Sequence, residues 1–241
     1  MHVCFLNRSY WPDVSATGQL LTELAEDLVR VHGWEVTVVS GYPLRSAASV
    51  PQTEVRNGVR IVRAAGSTRD PRRFVGRALN YLTYFGTAVL RAQMIRRPDV
   101  VVALTDPPVI GLAAWAASRR YGAPFVFLCE DVFPEVAVLV EDFRSPTVNA
   151  ILDRVNRFLV RRARRIVALG DTMKARLVEG KGAPTDAVHV IHNWADCSAV
   201  VPGPRDNPFS RRHGLVEPFV VLHAGNIGLS QDLGLKIMTD S

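Results

Sequence analysis

Near the end of the chain the apolar run 219–223 leads into Ala224-Gly225-Asn226-Ile227-Gly228, which reads as a buried strand and a glycine-bearing turn opening onto a helix. Such a turn offers backbone N–H groups and a helix N-terminus to a phosphate, the arrangement with which nucleotide-binding domains often begin. Other polar stretches follow earlier apolar runs: "NRSYWPDVSATG" from Asn7, "TDPP" from Thr105, "EDVFPE" from Glu130, "GDT" from Gly170 and "NWAD" from Asn193. They hold carboxylates, amides and hydroxyls, together with Trp and Phe side chains that a purely solvated loop does not need. This mixture predicts a ligand cleft.

The loop after the first apolar run excludes one chemistry. Dinucleotide binding requires Gly-x-Gly-x-x-Gly directly after the first strand, so that a pyrophosphate can approach a helix N-terminus. Here the run is followed by a long turn with Trp11, Pro12 and a lone Gly18. No Gly-x-x-x-x-Gly-Lys-Ser/Thr pattern occurs either, so a P-loop ATPase is not expected. His189 and His192 are three apart on a strand-like run and point to opposite faces, which argues against a shared metal.

The elements that must position these loops alternate. Strand-like runs at 2–7, 35–40, 59–64, 99–105, 124–129, 165–170 and 187–193 are separated by helical patterns at about 20–33, 74–96, 110–121, 148–162 and 173–179, with a polar loop between the second and third runs. Short, continuously apolar runs between helices mean parallel strands covered on both faces. The expected fold is α/β, a doubly wound, Rossmann-like parallel sheet, and in such sheets ligands bind beyond the carboxyl ends of the strands. All five candidate loops fall on that edge. The proline-rich text at 197–218 reads as a linker between a domain at 1–196 and a further element at 219–241.

The chain has 241 residues, 48% apolar and 22% charged, the composition of a globular protein. No apolar run approaches the ~18 residues of a membrane span, and Met1-His2 leads straight into a strand without a signal-peptide pattern, so a cytoplasmic location is expected. Cys4, Cys129 and Cys197 lack the spacing of a zinc site or disulfide framework and are read as reduced. The net charge of +6 is localised: 69–97 carries seven Arg and one Asp, 154–165 six Arg and no acid, which leaves the remainder of the chain net acidic. Such clustering points to an anionic surface or ligand.

"NRSYWPDVSATGQLLTELAEDL", "RPDVVVALTDPPVIG", "EDVFPEVAV", "RIVALGDTMKARL", "VHVIHNWAD" and "AGNIGLSQ" resemble, in order, blocks of the family 4 glycosyltransferases, and among them the exopolysaccharide and O-antigen enzymes that include fucosyl and fucosamine transferases. The resemblance implies the GT-B fold, in which an N-terminal lobe receives the acceptor and a C-terminal lobe holds the nucleotide-sugar donor. It implies sugar transfer with retention at the anomeric carbon, without a metal or other cofactor. The leaving nucleoside diphosphate gathers negative charge that N–H groups and basic side chains would stabilise.

Carried onto this sequence, the resemblance makes Asp131, with Glu130, the candidate catalytic pair at the reacting sugar. Glu135 is expected at most to cap the helix after Pro134. Gly18 would let phosphate or acceptor approach closely, and Trp11, Thr17, Asp106, Asn193 and Asp196 complete the candidate substrate-binding set. Gly225, Asn226 and Gly228 would lie against the donor diphosphate. Gln231-Asp232 departs from the Lys-Gly of many members, and "LGLKIMTDS" does not look like the helix that should follow. The donor lobe's Glu-x7-Glu segment has no counterpart before Ser241, so a truncated or frameshifted reading frame is expected, with impaired transfer.

The expected partners are a nucleotide-sugar, a glycan acceptor carried on a lipid pyrophosphate, and an anionic membrane surface met by the helix after Val75, with Tyr81 and Tyr84 on it. The other reading of that helix is an ordinary sheet-covering element with its Arg side chains in solvent. No nucleic-acid-binding pattern is present. Alternative functions are a non-catalytic acceptor-binding fragment, a peripheral membrane protein and a GT-B nucleotide-sugar epimerase.

Overall fold

The computed structural model describes residues 1–43, 50–69, 74–135, 145–197 and 200–222. Two compact units are present, Met1–Asn193 and a second that begins at Trp194. In the first, the order is β1 (His2–Leu6), α1 (Ala16–His32), β2 (Glu35–Gly41), β3 (Thr53–Arg56), β4 (Val59–Ala64), α2 (Phe74–Ala92), β5 (Val100–Ala103), α3 (Ile110–Tyr121), β6 (Phe125–Cys129), α4 (Pro146–Arg162), β7 (Arg165–Ala168), α5 (Asp171–Ala175) and β8 (Val188–Val190).

The sheet runs β3-β4-β2-β1-β5-β6-β7-β8 and is parallel except for the β3/β4 pair. The chain builds outward from β1 through β2 to β4, crosses back by α2, and continues from β5 to β8 on the other side. The loops after β1 and β5 therefore diverge from neighbouring strands, which is the topological switch point where a doubly wound sheet opens its crevice. The expected fold class is confirmed.

Alternate side chains of the central strands enter two cores. Val3 and Phe5 of β1 join Leu21 and Ala25 of α1 on one face, while Cys4 and Leu6 join Ile110 of α3 and Leu159 of α4 on the other. Helix boundaries follow their caps. Ser15 and Ser145 accept the N–H of the residue three positions on at the starts of α1 and α4, and Gly33 closes α1 in the left-handed conformation, φ 61°.

Two expectations need correction. The polar loop between the second and third runs contains β3, an antiparallel edge strand joined to β4 by Asn57-Gly58, both at positive φ (47° and 81°). That is the geometry an Asn-Gly hairpin turn requires. In the second unit, residues 219–222 are not a strand and are largely exposed, Phe219 by 92%. A strand needs a neighbour to receive its N–H and C=O groups, and the described residues of that unit contain none. The described part of the expected linker includes instead a short helix, α6 (Pro208–Arg212), capped by Asn207.

Candidate functional site

At the carboxyl end of β1 the chain is pinned on both sides. Asn7 N donates to Val39 O (3.2 Å), Arg8 N to Asp106 O (2.8 Å), and Gly41 N to Arg8 O (2.8 Å), so the backbone extends β1 between the ends of β2 and β5. Asn7, fully buried, receives Asp106 N at its Oδ1 (3.3 Å) and donates from Nδ2 to Ser9 O (2.8 Å). Asp106 is thereby aimed at the loop after β1. Its Oδ1 accepts from Arg8 Nε (3.2 Å) and its Oδ2 from Ser9 Oγ (2.8 Å).

Arg8 also lies over the Tyr81 ring, 5.3 Å from its centroid. Burial works against its charge, but Asp106 and the two tyrosines Tyr81 and Tyr84 outweigh it and hold the guanidinium above its ordinary range. The Tyr84 hydroxyl is buried without a hydrogen-bond partner among the described residues, and burial, then the Asp106 charge, push it well up. Tyr84 belongs to the core with Ala88 and Ala92. The expectation of Tyr84 on a membrane-facing side of α2 is therefore corrected: the tyrosine faces the sheet, and Leu82 and Leu90 are large apolar residues that α2 exposes.

Glu130 and Asp131 leave the end of β6, the strand next to β5, and both are half-buried. Burial first, then the charge of Asp106, raises Asp131 above the ordinary aspartate range. Glu130 is raised by burial and by Asp131, with a hydrogen bond from Asn193 Nδ2 to Oε2 (3.4 Å) acting the other way. Under this pair, the buried Cys129 thiol donates to Asp131 O (3.3 Å) and is pushed up to about 12, chiefly by burial. The structure thus brings Asp106, Glu130, Asp131 and Asn193 together on one sheet edge. Carboxyls with raised proton affinity at such an edge are suited to taking a proton from a hydroxyl near neutral pH.

Lys181 supports this edge, and no sequence motif marks it. It is 2% exposed, and its Nζ lies 2.6 Å from Glu135 Oε1 and 2.7 Å from Asp153 Oδ1. Arg157 Nε donates to the other Asp153 oxygen (2.6 Å). The ion pairs fasten the loop after β6 to α4. Glu135, expected to cap a helix, is a partner of Lys181; the helix expected after Pro134 lies largely outside the described residues.

The remaining candidates lie around the start of α1. A Cβ on Gly18 would stand 2.8 Å from Ser15 Oγ and 3.3 Å from two Ser9 atoms, so the glycine lets the first turn of α1 close onto the loop after β1. Thr17 is half-buried in the same turn. Trp11 is held toward β4: Arg56 stacks over its ring at 4.5 Å, and its carbonyl accepts from both terminal nitrogens of Arg63 (3.3 Å each). Arg63 is fully buried and also pairs with Glu54. Asp196 belongs to the second unit, and Gly225, Asn226 and Gly228 lie outside the described residues. Arg8 and Ser9, inside the first loop, join the site without a sequence signal, because nothing in their spacing marks them as partners of Asp106.

Residues 16–194 match the model of the glycosyl transferase 4-like domain. The chain belongs to that family. This glycosyl transferase 4-like chain is 31% identical over 140 residues to the probable glycosyltransferase WbjE of Pseudomonas aeruginosa, an alignment that covers 57% of the chain and 35% of WbjE. Among solved structures it resembles HepE of Anabaena in complex with UDP and glucose (TM-score 0.58, 16% identity, 91% of this chain and 52% of HepE). It also resembles the sucrose-phosphate synthase of Thermosynechococcus elongatus (TM-score 0.63, 13% identity, 90% and 53%). The glycosyl transferase 4-like chain thus spans about a third of the curated relative and about half of these structures. Among the described residues no helix is long and apolar enough to cross a membrane.

Proposed function

We propose that the chain forms the acceptor-side lobe of a retaining glycosyltransferase that moves a sugar from a nucleotide-sugar to a glycan acceptor in surface polysaccharide assembly. The observation that carries the reading is the carboxyl edge of the sheet, where Asp131 and Glu130, both raised by burial, stand beside Asp106 at the ends of adjacent strands. Family membership and the nucleotide and sugar named with HepE support it.

In this reading the acceptor hydroxyl gives its proton toward Asp131 as it bonds to the anomeric carbon, and the bond to the departing nucleoside diphosphate breaks on the same face. Glu130, held by Asn193, contacts the reacting sugar. Asp106, fixed by Arg8 and Ser9, orients the acceptor, and Trp11, Thr17 and Gly18 form the wall at the start of α1. Gly225, Asn226 and Gly228 meet the donor diphosphate, and Asp196 contacts the substrates from the segment after Asn193. The acceptor is carried on a lipid pyrophosphate at the inner face of the membrane, and its glycan is of the kind that fucosyl or fucosamine transferases extend.

Incubation with a panel of labelled nucleotide-sugars and a polyprenyl-pyrophosphate glycan tests the reading. Label should pass to the lipid, and Asp131→Asn should slow transfer by about 10²–10⁴-fold while the far-ultraviolet spectrum is retained. Transfer unchanged in Asp131→Asn removes the assigned role, and release of a free epimerised sugar without acceptor favours an epimerase.

A further inference from the structure

The densest run of arginine in the described chain lies away from the carboxyl edge. Helices α2, α3 and α4 lie side by side on one face of the sheet, α3 packing against both neighbours. At the C-terminal ends of α3 and α4 a cleft of about 570 Å³ opens between Trp115, Arg119, Pro124, Phe125, Arg162 and Arg164. These positions precede or open β6 and β7, so the cleft sits at the edge opposite Asp106 and Asp131. A second depression lies along α4 over Arg154, Arg157, Phe158, Arg161 and Arg162.

Three features give the cleft a ligand chemistry. First, its cations are uncompensated: among the described residues, no carboxylate lies within ion-pair distance of Arg119, Arg154, Arg161, Arg162 or Arg164, whereas Arg157 is paired with Asp153. One basic residue in a last helical turn is enough to offset the partial charge of a helix C-terminus, and α3 and α4 each carry two. Second, its wall is aromatic: Trp115 meets Phe158 edge to face at 5.0 Å, and the Arg162 guanidinium lies over Phe158 at 5.6 Å. Third, Arg154, Arg161 and Arg162 recur at helical spacing along α4, Arg164 and Arg165 follow just after its end, and all five are exposed. A single small phosphate can engage two or three of them, while an extended anionic surface engages them all.

We propose that this cleft is a headgroup site for an anionic phospholipid, with Arg119, Arg162 and Arg164 on the phosphate, Trp115 at the glycerol and acyl boundary, and the α4 arginines on neighbouring headgroups. The proposal rests on the membrane reading above and moves its location from α2 to the α3/α4 face. With α4 lying along the bilayer, the end at which its chain enters from the β6 side is the end nearer the carboxyl edge.

Co-sedimentation of the full chain with vesicles tests this without any sugar transfer, so it can fail while the transferase reading stands. The chain should bind equimolar phosphatidylglycerol/phosphatidylcholine vesicles and not pure phosphatidylcholine. Arg162→Glu with Arg164→Glu should weaken binding at least about tenfold, Arg162→Lys with Arg164→Lys should keep most of it, and Leu82→Gln with Leu90→Gln on α2 should leave it unchanged. Spectroscopic quenching of Trp115 by a brominated anionic lipid, absent in Trp115→Phe, should locate the headgroup. Equal binding to both vesicle types, binding that survives the Glu pair, or binding lost only in the α2 variant would overturn the proposal. So would inorganic pyrophosphate occupying the cleft of a chain that ignores anionic vesicles.

Discussion

Arg8 Nε donates to Asp106 Oδ1 at 3.2 Å and ties the loop after β1 to the loop after β5 across the point where the sheet reverses its winding. The Asp106 charge is in turn one of the causes that raise Asp131. Asp106→Asn should therefore lower the Asp131 midpoint toward the ordinary aspartate range. A carbon-13 carboxyl titration reads this directly, and a midpoint that stays put or rises would separate the two groups.

Asp131 has a stability signature opposite to that of a salt-bridged carboxylate. Because burial raises its pKa in the fold, the native chain keeps a proton that the unfolded chain has already released, and stability falls as pH rises through that window. Asp131→Asn removes the loss. Calorimetry should show the variant melting above the wild type at pH 7, with the gap closing as pH falls below about 3.9, the unfolded aspartate value. A variant less stable at pH 7 would contradict the burial.

Lys181→Met leaves the Glu135 and Asp153 carboxylates without their shared cation. Removing one partner of a buried ion pair costs about 3–5 kcal/mol, and the partial exposure of both acids places this case near the lower figure. Urea unfolding measures it. Adding Glu135→Gln and Asp153→Asn should recover much of the loss.

Gly18→Ala separates packing from ligand approach. The added Cβ meets Ser15 Oγ and Ser9, so the cap of α1 should loosen at a cost of about 1 kcal/mol. Unchanged stability with lost acceptor affinity would assign the glycine to the ligand alone.

Thiol accessibility checks the strand placement. Cys4 and Cys129 are buried and their thiols are raised by that burial, while Cys197 is exposed. Iodoacetamide should modify the native chain at Cys197 and reach the other two only on unfolding.

The sheet was legible because its strands are nearly continuous apolar runs, Val36–Val39 with one Thr and Val100–Ala103 among them, that only a two-sided core tolerates. β3 was hidden because an edge strand half in solvent, Thr53–Arg56, reads as polar; the one signal was Asn57-Gly58, a two-residue hairpin turn written in plain sequence. The candidate edge was legible as loops, since strand direction alone places Asp106, Asp131 and Asn193 together. Its wiring was not. Arg8 meets Asp106 across 98 residues and Lys181 meets Asp153 across 28, and such pairings follow from sheet order and helix packing, which no local spacing encodes. Tyr84 was misplaced because its helix is apolar on more than one side, and only contact with the sheet decides which side turns inward.

The most direct test of the account is a carbon-13 carboxyl spectrum of the chain recorded while a pyrophosphate-linked acceptor glycan is added. The Glu130, Asp131 and Asp106 resonances should move saturably and together, with Asp27 on α1 and Asp99 at the opposite edge stationary. Saturable glycan binding that leaves Glu130 and Asp131 unmoved would contradict it.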